Sequence, residues 1–283
     1  MNNLQKIDNP FEGGQPVRQS SAVATTDQHR AVAEVQAALL IAKANPRNPV
    51  MAMDRILNAC TRPTLAEGAV YTYAKGGANV SGPSIRLAEA MAQAWGNMQF
   101  GIRELEQANG ESTVQAFAWD VETNTRREVT FQVPHIRYTR QGSKQLEDPR
   151  DVYELVANQG SRRLRACILA IIPSDVTELA VKQCTTTLET TFDVSEGSLK
   201  KMLNLFELFN VTKEHIEKFI QRRLDAIQPA QGARLKTILQ SMRDGMSVAA
   251  DWFEIDPNAP VAKKEAAVKP PSLEPTPPGP QKR

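Results

Sequence analysis

The chain has 283 residues, 41% of them apolar and 23% charged, values that exclude a fibrous or wholly disordered protein. Its formal net charge is only +2, so a nucleic-acid surface would have to come from local clustering of Arg and Lys, not from bulk charge. Three scattered cysteines, Cys60, Cys167 and Cys184, suggest no disulfide framework. With no signal-like apolar leader and no run near the roughly 18 residues of a spanning helix, they point to a cytoplasmic protein without a membrane role.

Residues 1–26 are polar, carry Pro10, Gly13, Gly14 and Pro16, and read as a disordered arm. From Asp27, a plausible N-cap, Val32, Val35, Leu39 and Leu40 recur at helical spacing until Asn45-Pro46, and a second helix covers about Val50 to Cys60. Ser81-Gly82-Pro83 reads as the start of a helix whose apolar face is Ile85, Ala88, Met91, Ala92 and Trp95. Three strand signals follow, at Met98–Gln107, Ser112–Asp120 and Arg126–Val133. The turn dipeptide Asn109-Gly110 joins the first two, and Glu122–Asn124 joins the second to the third. In the third, Val129, Phe131 and Val133 alternate with polar residues, which predicts an antiparallel meander with one buried face. Trp95, Phe117, Trp119 and Phe131 fall on apolar periodicities and are expected in the core.

After a basic loop, Arg137 to Lys144, a helix opens at Asp148-Pro149 and runs to Ile172. The Thr-rich, slightly acidic stretch 184–198 reads as a linker. Residues 199–255 show helical periodicity in three segments, 199–209, 212–227 and 230–242, with a short fourth helix at 245–253. Residues 256–283 are Pro-rich and read as a disordered tail. The expected class is therefore α+β: a three-stranded antiparallel meander flanked by helices over 27–183, plus a small C-terminal helical domain.

The motifs exclude more than they prove. Gly77 and Gly82 have P-loop spacing, but Pro83 stands where the phosphate-binding Lys is required. His29, His135 and His215 lie on separate elements, with no cysteine at metal-ligand spacing, so neither a cofactor nor a metal is expected. Glu104, Glu106 and Asp120 are the carboxylates of a rival reading, a metal-dependent nuclease. The strand pattern puts Glu104 and Glu106 on one face, but leaves Asp120 at a strand end. Solvated carboxylates are the plainer account.

Basic residues do cluster. Between Arg126 and Arg165 nine of them face five acids, a local charge of +4. The DNA-binding candidates are Arg137, Tyr138, Arg140, Lys144, Arg162, Arg163 and Arg165, with Lys75 and Arg86 flanking the glycine loop. Guanidinium groups bind phosphates by charge-assisted contacts, and the tyrosines Tyr71, Tyr73, Tyr138 and Tyr153 could stack on bases. For a single Arg a solvated helix face is an equal account, and for a tyrosine rim packing is the plainer one.

Three stretches carry a family resemblance: the helix Ser84-Ile-Arg-Leu-Ala-Glu-Ala, the strand Val114-Gln-Ala-Phe-Ala-Trp-Asp, and Asn158-Gln-Gly-Ser-Arg-Arg-Leu-Arg-Ala-Cys-Ile-Leu ending at Pro173. Over about Asp27 to Pro173 the chain resembles the RecT and Red-beta group of phage single-strand annealing proteins. The resemblance implies a helix-flanked antiparallel core that assembles into rings or helical filaments. It also implies ATP-independent binding of single-stranded DNA along a basic groove, annealing of a complementary strand, and retention of the duplex, without covalent chemistry. By the same resemblance the C-terminal helical domain would contact a phage exonuclease or a host single-strand binding protein. Phe206, Phe209, Phe219 and Trp252 are candidate anchors there, although each taken singly reads better as that domain's own core. A non-catalytic adaptor is the third reading.

Overall fold

The computed structural model describes residues 22–75, 78–139 and 142–255; the expected arm before residue 22 and the tail from 256 lie outside them. In chain order the elements begin with α1 (Ala22–Ala44), α2 (Pro49–Cys60), a short α3 (Pro63–Glu67), β1 (Val70–Lys75), β2 (Ala78–Pro83) and α4 (Ile85–Trp95). Then come β3 (Met98–Ala108), β4 (Glu111–Asp120), β5 (Thr125–Pro134), β6 (Ile136–Thr139), β7 (Gly142–Gln145) and α5 (Pro149–Leu169). The chain ends in α6 (Ser174–Thr190), α7 (Glu196–Glu207), α8 (Lys213–Ile220) and α9 (Pro229–Arg243), with 3-10 turns at Leu224–Ala226 and Ala249–Asp251. The result is a mixed α+β structure whose described residues fall into two compact units, 22–56 with 88–177 and 57–87 with 178–255. No described helix is long and apolar enough to cross a membrane.

The first unit is built on the expected meander, β3-β4-β5, all antiparallel. Asn109 and Gly110 both have positive φ, 53° and 77°, as a two-residue turn that follows the twist of its strands requires. Along β4, Ser112, Val114, Ala116 and Ala118 are buried while Thr113, Gln115 and Phe117 are half-exposed, the period of two that puts one face against a neighbour. That neighbour is α5: Val152 and Val156 join Val114, Val133 and Leu146 in one apolar cluster, and the Cys167 thiol reaches the Ala116 carbonyl at 3.6 Å. Gly160 allows the approach, since a Cβ there would meet Ile102 Cδ1 at 2.7 Å. On the opposite face, at the Asp120 end, Ala38, Leu39 and Ala42 of α1 cover Trp119 and Val121.

The Asp120 end is locked by Arg47, which sequence reasoning passed over. Its guanidinium donates to Asp120 Oδ2 at 2.9 Å, to the Trp95 carbonyl at 2.9 Å and to the Gly96 carbonyl at 2.8 Å, and lies 4.7 Å from the Trp95 ring centre. The Arg47 and Asp120 side chains are only 7% and 4% exposed, so this is a buried pair whose hydrogen bonds offset its desolvation.

In the second unit the hairpin β1-β2 packs on α9, and the Thr72 amide donates to Ser241 Oγ at 2.9 Å. The helices α7, α8 and α9 share a core that includes Phe192, Met202, Phe206, Ile216, Leu235 and Ile238. The Phe192 ring lies directly on Gly232, where a Cβ would meet it at 2.2 Å.

Four expectations change. The first helix begins at Ala22, five residues before Asp27. Ser81-Gly82-Pro83 ends strand β2 instead of opening α4. The capping residue is Ser84, whose hydroxyl accepts from the Leu87 amide and donates to the Gly68 carbonyl. The basic loop after β5 is the hairpin β6-β7. The linker expected at 184–198 is helical through Thr190, and residues 57–87 group with the C-terminal helices, so the division is not sequential. Thr-rich composition suggested a linker, yet Thr185, Thr187, Thr190 and Thr191 each bond a carbonyl four residues back, while Ala180, Cys184 and Leu188 form a buried stripe.

Candidate nucleic-acid interface

At the end of the meander away from Arg47, α5 and the hairpin β6-β7 flank a groove of about 430 Å3. The helix is started firmly: Asp148 accepts from the Arg150 amide at 2.9 Å, Pro149 occupies the first turn, and Asp151 follows. One wall is the chain from Gln132 through Tyr138; the other is Leu155, Gln159 and Arg163 of α5. Arg163 lies over the Phe131 ring at 4.0 Å and donates to the Gln159 carbonyl and side-chain oxygen, both at 3.0 Å. Its guanidinium is thereby oriented, not merely present.

The hairpin register sets Arg137 directly opposite Lys144, and Tyr138 opposite Ser143. Like charges in directly opposed positions are unfavourable unless an anion lies across them. Asp151 approaches Arg137 at 3.4 Å, but both side chains are nearly half exposed, at 49% and 43%, so the pair contributes little. Tyr138 is 76% exposed, open to a stacking partner.

Of the nine expected DNA contacts, Arg137, Tyr138 and Arg163 meet at this groove and Lys144 stands across the hairpin from Arg137. Arg162 and Arg165 do not join them. Successive helical residues turn by roughly 100°, so Arg162 is exposed away from the sheet and Arg165 is half-buried on another flank. Arg140 lies outside the described residues, as does the side chain of Lys75, whose backbone ends β1. Arg86 belongs to the second unit, where both its terminal nitrogens bond Asp244, at 2.9 and 3.1 Å. That hydrogen-bonded carboxylate raises the Arg86 pKa above its ordinary value, and Arg86 is already matched. Tyr71 and Tyr73 stack on each other at 6.0 Å, and Tyr153 is 72% exposed.

The four proposed partner anchors fare unequally. Phe206 is completely buried in the second unit's core and cannot be an anchor, because its ring packs edge-on against Phe253 at 5.7 Å. Phe209, Phe219 and Trp252 are half-buried against the same core, and Arg234 lies over Phe219 at 4.8 Å. Trp95 and Trp119 are core residues as expected. Phe117 is instead half-exposed on the sheet face away from α5, beneath Arg103 at 4.7 Å and Arg126 at 5.7 Å.

The three carboxylates of the nuclease reading are dispersed. A bulge between Glu104 and Glu106 places Glu104 opposite Val114 and Glu106 opposite Thr113, neighbours that point to opposite faces. Asp120 lies six residues beyond Val114, roughly 20 Å along the strand, and is held by Arg47. Among the described residues no three His, Cys, Asp or Glu side chains are grouped to hold a metal ion.

Sequence reasoning missed Gln132, Ile136, Leu155 and Gln159 as groove residues. Only Gln159, one helical turn before Arg163, was within reach of a periodicity argument. Compared with protein-family models, curated proteins and solved structures, the chain gives no match.

Proposed function

We propose that this protein binds single-stranded DNA without ATP and anneals complementary strands, in the manner of the RecT and Red-beta proteins it resembles. The observation that carries this reading is the opposed pair Arg137 and Lys144 on an exposed hairpin beside an oriented Arg163, with Tyr138 open to solvent at the same groove. An extended strand satisfies all four: phosphates between the cations relieve their repulsion, and a base or sugar meets the tyrosine ring. Binding of this kind is independent of sequence, and pairing between strands supplies selectivity. The half-buried aromatics Phe209, Phe219 and Trp252 are what remains for contact with a recombination partner, and assembly into rings or filaments belongs to the same reading.

The test is annealing of two complementary dye-labelled oligonucleotides, without nucleotide or divalent cation. Pairing well above the spontaneous rate, with affinity falling steeply as salt rises, is expected. Absence of oligonucleotide binding at low salt would sink the reading and leave an adaptor.

A further inference from the structure

Every residue from Gln132 to Tyr138 lines the groove except His135. His135 turns the other way and is 6% exposed, with its Nε2 2.8 Å from the Oγ of Ser112, which is fully buried. Its backbone is fixed as well: its amide donates to the Gly110 carbonyl, and its carbonyl accepts from the Leu146 amide, both at 2.8 Å. His135 thus joins the β3-β4 turn, the start of β4 and the residue that follows β7.

The hairpin β6-β7 needs such a root. Its strands have four residues each, Arg137, Tyr138 and the whole of β7 are exposed, and an isolated two-stranded hairpin is marginal in water. Between the hairpin and α5 stands the Arg137-Asp151 pair, which is half exposed and therefore weak. An apolar pair at 112 and 135 would fill the same space, but a hydrogen bond is directional and fixes the ring, hence the course of the chain from Pro134 to Ile136.

We propose that the Ser112-His135 pair is a positioning device: it sets the angle at which the Arg137-Lys144 hairpin stands beside α5, without either residue touching the nucleic acid. The proposal rests on the single-strand reading for its DNA readout only. Four variants of the full chain test it, Ser112→Ala, His135→Ala, His135→Gln and His135→Asn. Two readouts are needed: amide hydrogen exchange across residues 136–145 and across β4, and affinity for a single-stranded oligonucleotide.

Ser112→Ala and His135→Ala are expected to speed exchange in the hairpin about tenfold, leave the centre of β4 protected, and weaken oligonucleotide binding several-fold. His135→Gln places an amide nitrogen near the imidazole Nε2 position and restores both readouts; the shorter His135→Asn does not. Combining Ser112→Ala with His135→Gln abolishes the rescue. Unchanged hairpin exchange in Ser112→Ala, equal rescue by Asn, or equal loss of protection in β4 would each overturn the positioning role. If the hairpin loosens as expected but the unaltered protein binds no oligonucleotide, the DNA reading fails and the anchor stands.

Discussion

The two ends of one meander treat arginine in opposite ways. At the Asp120 end Arg47 is buried, paired with a carboxylate and stacked on Trp95; at the other end Arg137 and Arg163 border an open groove, with an exposed Lys144 facing Arg137. The first arrangement holds strands and helices together and leaves nothing for a ligand. The second contributes little to the fold and leaves positive charge incompletely neutralised. Cationic residues around the same meander are thus divided between architecture and recognition by whether the chain supplies their counter-charge.

The largest expected effect breaks the architectural end. Arg47→Ala leaves Asp120 buried without its counter-charge, held only by the Glu122 and Thr123 amides, and should cost about 3 kcal/mol of stability, read by chemical denaturation, while oligonucleotide affinity below the unfolding transition is preserved. Next, alanine at Arg137, Lys144 and Arg163 together should weaken oligonucleotide binding on the order of 100-fold, at about 1 kcal/mol per contact. The slope of log affinity against log salt should fall by about 2, with stability changed by less than about 1 kcal/mol. A matching loss of stability would erase the contrast between the ends. Gly160→Ala lies between them: overpacking against Ile102 costs about 1–3 kcal/mol, and improved helix propensity returns about 1. Since Arg163 is one turn further along α5, denaturation and binding should both register it. Smallest is Arg86→Ala in the second unit, which loses a partly exposed ion pair worth at most about 1 kcal/mol and should leave oligonucleotide affinity unchanged. A drop in affinity there would extend the binding surface to that unit.

Much of this was legible in the sequence, and for stateable reasons. The meander announced itself through Asn109-Gly110 and the alternation of Val129, Phe131 and Val133, because a half-buried strand must alternate and a tight hairpin needs positive φ. The hairpin β6-β7 did not, since Arg137, Tyr138, Ser143 and Lys144 are all exposed and no burial shapes their order. Arg47 was invisible because its carboxylate partner is 73 residues away. The arginines of α5 were legible as a cluster but not as a direction. Neighbours in sequence are not neighbours in space on a helix, and only Arg163 reaches the groove. The rotation imposed by the bulge in β3 had no signature in an uninterrupted strand pattern.

That bulge has an engineering consequence. Leu105 has no partner across β3-β4 and is 54% exposed, while Glu104 and Glu106 already oppose adjacent residues of β4. Removing Leu105 would leave every β3-β4 pairing intact and merely regularise the ladder. A one-residue deletion ordinarily inverts all that follows in a strand, but at this position the chain carries a spare link, and shortening it there is the conservative change.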